Sequence, residues 1–325
     1  MKKNLLILFI FFILGSYSYA NPPPGSIILP KDKKEGRYFE DQPDVNDDFQ
    51  FHIIYSLYKD SKDKEGDING AVEKLIEIAD QWIAKTTAKA NKKSLNVAQN
   101  IKWDRRKDGK LDISFLRFNF TAKQMEKCKW SCGNVFGKSI IGSGFDNPKK
   151  MYLNIGDFKS KLWHYSGGFP VFHVFTTYNK SIKLNKKEVG YFILHEGLHA
   201  MGGIYPCSPN FVRGHNTENN QSSGDLMASQ VDSEKITNLD PKNDDYWAHD
   251  NETCPDMQDS VYFTPTSDTP FDPFEVTCLP KDKWKISNKK FENLNKREPG
   301  DQCYYARRDL SGPSWVKELG VINRN

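Results

Sequence analysis

Beyond its first twenty residues the chain lacks any long apolar run, and this excludes a membrane-spanning helix, which needs about 20 consecutive apolar residues. It also lacks a strong charge of either sign. The formal charge of +4 falls to +2 when Lys2 and Lys3 leave with the export segment described below. The lysine clusters at Lys31 to Lys34 and Lys283 to Lys290 are short patches on a chain whose charges of both signs are interspersed, so they read as solvated surface and nucleic acid is not an expected partner. No internal repeat occurs, which excludes solenoids and propellers. Cysteine is sparse, at six residues in 325.

The apolar run that does exist is short. Lys2 and Lys3 lead into Leu5 to Leu14, and small residues follow around Ser18 and Ala20, the pattern of a cleavable export signal over residues 1–20 with its cut after Ala20. The next residue is Asn21 rather than Cys, so a lipid anchor on a new N-terminal cysteine is not expected. The expected destination is therefore secreted or periplasmic. In such an oxidising compartment the even set Cys128, Cys132, Cys207, Cys254, Cys278 and Cys303 reads as disulfides. Pairing of near neighbours is one of fifteen possible connectivities: Cys128 with Cys132, Cys207 with Cys254, Cys278 with Cys303.

Residues 21–48 are rich in Pro, Gly and charge and read as an extended N-terminal arm. A packed domain is expected over residues 49–260, followed by a cysteine-containing segment of unassigned role over 261–325. The dense apolar stretch Phe49 to Tyr58 predicts a strand. Ala71, Leu75, Ile78, Ala79, Trp82 and Ile83 repeat at the spacing of a one-faced helix from Ile68 to Thr87, with Asp67 as its cap. Gly109 to Phe120 and Val171 to Tyr178 read as further strands, the second introduced by Pro170. A second helix is expected from Lys186 to Met201, with Asn185 and Glu188 in capping-box spacing and Gly202 and Gly203 at its end. Loop-rich sequence follows, with one more short helix at Ser314 to Gly320.

The chemistry concentrates in His195-Glu-Gly-Leu-His-Ala-Met-Gly-Gly. On a helix, histidines at i and i+4 share one face about a turn apart, the geometry of a two-histidine zinc clamp. Glu196 lies on the adjacent row, where it reaches a zinc-bound water as general base without itself being a ligand. Two satisfied core histidines are the bland alternative. The preceding strand, the backing helix and the packing residues Phe192, Ile193, Leu194 and Leu198 favour the metal reading.

With Gly202 three residues after the second histidine, the run resembles the metzincin superfamily of zinc metallopeptidases. That family places a third ligand three residues further on, where this chain has Tyr205. A later histidine, His215, is followed by Gly224-Asp-Leu-Met-Ala, which looks like the third histidine and methionine turn of the family, with Met227 as the methionine. His249, Glu218 and Asp225 stand as alternatives for the third ligand. The resemblance implies a zincin-like α/β (α+β) fold: a mixed twisted sheet, a backing helix, an active-site helix and a disulfide-tied, loop-rich lower subdomain. It further implies one catalytic Zn2+ held by His195, His199 and His215, and hydrolysis of a protein or peptide substrate. Tyr246 is a candidate oxyanion stabiliser.

Two rival functions keep the same residues. One is an exported binding or adhesion module on the same fold, and an intact Glu196 argues against it. The other is a zinc amidase acting on a non-peptide amide of the cell wall, which would use the same groups. Calcium is a further conceivable cofactor at Asp244-Asp245 or at Asp256 and Asp259, but no calcium-loop spacing supports it.

Overall fold

The structure is a computed structural model that describes residues 26–88, 97–128, 135–147, 149–157, 171–175, 186–201, 204–205, 207–212, 215–216, 224–228, 236, 238–252 and 254–273. The export segment, the Asn185 cap, Gly202 and Gly203, the Ser314 to Gly320 helix, Cys132, Cys278 and Cys303 lie outside these residues, as does the side chain of Cys128.

A five-stranded sheet forms the centre, in the order β1 (Ser26–Ile27), β4 (Ile113–Phe118), β2 (Gln50–Leu57), β5 (Lys150–Gly156) and β6 (Val171–Phe175). Strands β4, β2, β5 and β6 run parallel, and β1 pairs antiparallel with β4. Every residue of β2 is buried. This follows from its place between two parallel neighbours with both faces covered, so that even Gln50, His52 and Ser56 are buried along with the apolar residues.

Helices cover the two faces. Helix α1 (Ala71–Thr87) buries Val72, Ile76, Ala79 and Ile83 against Phe51, Ile53, Tyr55 and Leu57 in one core, which also takes in Val189, Ile193, Leu194 and Leu198 of α4 (Lys186–Ala200). On the opposite face, α2 (Ala122–Cys128) and α3 (Val135–Gly142) bring Met125, Phe136 and Ile140 against Ile54, Leu116, Phe118 and Tyr152. Close approach of α1 and α4 depends on Gly190, where a Cβ would meet Ile78 Cγ2 at 2.7 Å. Among the described residues, no helix is long and apolar enough to cross a membrane.

Two expectations are corrected. Asp67 does not cap α1: the cap is Gly70, left-handed at φ 80°, and the Asp67 carboxylate instead accepts two hydrogen bonds from buried Arg37, each 2.7 Å. Residues 26–48 are not a free arm. They supply the edge strand β1, and Asp32 is fully buried against Arg117 of β4, accepting its Nε at 2.8 Å and its Nη2 at 2.7 Å. Beyond residue 260, β9 (Phe263–Thr264) pairs with β3 (Asn100–Ile101), and Tyr262 and Phe263 are buried in the α1 core. Two-residue strands carry no periodicity, so the sequence held no signal for either attachment.

Candidate metal centre

Helix α4 is apolar around most of its circumference, with Tyr191, Ile193, Leu194, Leu198 and Ala200 buried. A helix of that kind is enclosed on most sides, so its few polar groups need internal partners or a ligand. His195 and Glu196 are buried at 5% and 3% exposure, while His199 is partly exposed.

The third histidine arrives on a hairpin. β7 (Phe211–Val212) and β8 (His215–Asn216) pair antiparallel, with Val212 opposite His215. This brings the Nε2 of His215 to 3.2 Å from the Nε2 of His199, which lies 3.1 Å from the Nε2 of His195. The rings of His195 and His215 stack at 5.3 Å, both close to the edge of His199. Tetrahedral zinc with Zn–N bonds of about 2.0–2.1 Å separates its nitrogen ligands by about 3.3–3.4 Å, so the observed spacings fit such an ion.

Tautomer and charge agree with ligation. His195 Nδ1–H donates to the Leu226 carbonyl at 2.7 Å, which leaves its Nε2 lone pair directed at the other two rings. Burial, and to a lesser degree the His215 ring, lower the His195 pKa to about 4, although the Leu226 bond opposes them. His199 is held well below the ordinary imidazole range by burial and then by His195 and His215. Neutral imidazole is the metal-binding form.

The stretch Asp225 to Ala228 forms a turn that meets His195 through the Leu226 carbonyl, with Leu226 and Met227 fully buried. Met227 thus lies in the turn whose preceding carbonyl orients His195. The Asp225 carboxylate accepts from Met227 N at 2.7 Å, from Tyr246 Oη at 2.7 Å and from Asn216 Nδ2 at 2.8 Å, and burial pushes its pKa up to about 7.

The other candidates are placed elsewhere. Tyr246 is fully buried and spends its hydroxyl on Asp225, so it does not present that group to a substrate as an oxyanion stabiliser would. Tyr205 donates its hydroxyl to the Met201 carbonyl at 2.8 Å, which closes the helix end instead of meeting the histidines. His249 uses both nitrogens locally, Nε2 towards the Pro255 carbonyl and Nδ1 accepting from Asn251 N. Glu218 lies outside the described residues. Of the acidic groups considered for calcium, Asp245 accepts from Asn210 N, Asn210 Nδ2 and Asn216 Nδ2 and comes together with Asp240 and Asp244, while Asp256 accepts from the N–H groups of Ala248, His249 and Gln258.

Another convergence of His and Asp is closed by a lysine. Asp41, His52, Asp104 and Asp112 come together near the sheet, and Lys150 Nζ lies 2.7 Å from Asp41, 2.5 Å from Asp44 and 2.6 Å from Asp104. An internal ammonium among those carboxylates distinguishes this group from the three histidines. Sequence reading missed it, and it also missed the Leu226 carbonyl and Asn216. A backbone acceptor is silent in sequence, while a polar residue directly after His215 was the only available hint.

The Cys207–Cys254 disulfide exists, with a Cα–Cα distance of 5.5 Å and a sequence separation of 47 residues. It brackets the segment that carries both His215 and Met227. Replacing both cysteines, as Cys207→Ala/Cys254→Ala, is expected to cost about 2–4 kcal/mol by releasing that loop in the unfolded chain. Urea unfolding of the purified protein measures the loss, and an unchanged midpoint would mean the surrounding packing already holds the loop.

No protein-family model and no curated protein matches the chain. Solved structures similar to it include wild-type OgpA from Akkermansia muciniphila in two crystal forms, 12% and 11% identical with TM-scores of 0.34 and 0.38. Catalytically inactive OgpA in complex with an O-glycopeptide, glycodrosocin, is 11% identical with a TM-score of 0.35. The matched regions are 51%, 63% and 58% of this chain and span only 52%, 60% and 56% of those chains. Likeness at that level assigns neither a fold family nor an activity.

Proposed function

We propose that the chain is an exported, zinc-dependent peptidase with a zincin-like fold, whose metal is held by His195, His199 and His215. The observation that carries this reading is the convergence of three Nε2 atoms at 3.1 and 3.2 Å beside a buried glutamate on the same helix. A buried disulfide supports export to an oxidising compartment. The domain in this reading runs from residue 26 to at least residue 273.

A zinc ion held there would supply Lewis acidity towards a peptide carbonyl and acidify water. The protein's own groups handle the protons. Glu196, one residue from His195, accepts a proton from the attacking water and returns it to the departing amine, so that one C–N bond breaks as one C–O bond forms. The Leu226 carbonyl holds the His195 ring in a single tautomer throughout. Apolar neighbours on α4 keep the site's dielectric low, which strengthens each of these interactions.

Metal content of the purified mature protein tests the proposal, with His195→Ala, His199→Ala and His215→Ala measured beside the wild type. The expected result is about one zinc per wild-type chain and loss of zinc in each variant. A wild type free of zinc after incubation with the metal would overturn the reading. Zinc retained by His215→Ala would remove that residue from the ligand set.

A further inference from the structure

We infer that Asp225 is a positioning residue of the three-histidine centre, setting two of the three rings from behind without touching either. This rests on the metal reading proposed above. Asp225 is buried at 2% exposure, and its carboxylate joins three separate segments of chain. Through Met227 N it closes the turn whose Leu226 carbonyl receives His195 Nδ1–H. Through Asn216 Nδ2 it grips the residue that follows His215. Through the Tyr246 hydroxyl it ties both to the segment 245–247, which Asp240 braces by accepting three backbone N–H groups.

The same segments also meet directly. Asn216 N donates to the Met227 carbonyl at 3.0 Å, and Asn216 Nδ2 gives a second bond, of 2.6 Å, to Asp245. His215 is thus laid against the turn that orients His195. On α4, His195 and His199 are already fixed relative to each other by the helix. What remains free is the position of His215 and the tautomer of His195, and Asp225 governs both. A buried carboxylate is costly unless every oxygen is used, and here bonds from a backbone N–H, a phenol and an amide offset that cost.

The two oxygens separate the functions. Oδ1 serves Met227 and Tyr246, and Oδ2 serves Asn216. Asp225→Asn preserves shape and, with its amide oxygen at the Oδ1 position, keeps the first pair of bonds. It then faces the Asn216 amide with a second donor and releases His215. Asn216→Ala releases His215 from the other side, leaving the carboxylate in place.

The experiment is zinc competition with a chromophoric chelator on the mature full-length protein, paired with the visible spectrum of the cobalt-substituted form. The expected result is a loss of zinc affinity of about 10–100-fold in Asp225→Asn and in Asn216→Ala, with weaker and shifted cobalt bands, in protein that keeps wild-type circular dichroism. Wild-type affinity and an unchanged cobalt spectrum in either folded variant would overturn the inference. If Asp225→Asn does not fold, Asn216→Ala decides by the same readings. A wild type that binds neither metal sinks the three-histidine reading itself. Metal bound equally by wild type and variants sinks only the role given to Asp225.

Discussion

Glu196→Gln is expected to lower the rate of peptide hydrolysis by about a hundredfold to ten-thousandfold while leaving zinc content unchanged, the loss typical of a removed general acid–base group. Glutamine fills the same buried space beside His195, at a position 3% exposed, so the fold and the histidine cluster are retained. What disappears is the group that takes a proton from water and gives it to the leaving nitrogen. The measurement is kcat on an unfolded protein substrate, with metal content determined on the same sample. A variant with wild-type turnover would show that the proton moves through another group. A variant without zinc would show that Glu196 shapes the metal site instead of serving the reaction.

Asp32→Ala is expected to destabilise the protein by about 3–5 kcal/mol, the cost of leaving a buried charge without its counterpart. Arg117 and Asp32 are both fully buried, joined by two parallel hydrogen bonds of 2.8 and 2.7 Å. Arg117 also donates to the Tyr58 and Ser61 carbonyls at 2.9 and 3.0 Å, so it cannot swing out to water without abandoning those as well. The double substitution Asp32→Ala/Arg117→Met should recover much of the loss, because removing both charges together leaves no ion uncompensated. Denaturant unfolding of the single and double variants gives the coupling energy. A single-variant loss below about 1 kcal/mol would mean that water reaches Arg117 and the pair contributes little, as exposed pairs do.

The pair also shows where sequence reading reached its limit. A stretch containing Pro22 to Pro24, Gly25 and several charges has the composition of a solvated arm, and nothing local indicates that Asp32 finds Arg117, 85 residues away. The same holds for the segment after residue 260, whose attachment to the core includes one short strand pairing, the ring contact of Tyr262 with Phe51 at 5.1 Å and the bond from Gln99 Nε2 to the Pro265 carbonyl. Asp67 precedes α1 as a plausible cap, but Arg37 outcompetes the helix N-terminus with a bidentate ion pair.

Local pattern alone determined a good deal. The dense apolar residues of β2, the one-faced repeat of α1, the helix carrying His195 and His199, and the position of Glu196 beside them are all legible in local sequence pattern. Those two histidines meet because a helix places residues four apart on one face, whatever surrounds it. Tertiary structure alone decided the rest: that His215 rather than His249, Asp225 or Tyr205 completes the cluster, that Tyr246 is a buried brace, and that Leu226 sets the tautomer of His195. Each of those outcomes depends on contacts between residues distant along the chain, fixed by the hairpin, the Cys207–Cys254 link and the Asp225 network. Residue type and spacing can nominate such partners, but only the packing of one segment against another brings their atoms within bonding distance.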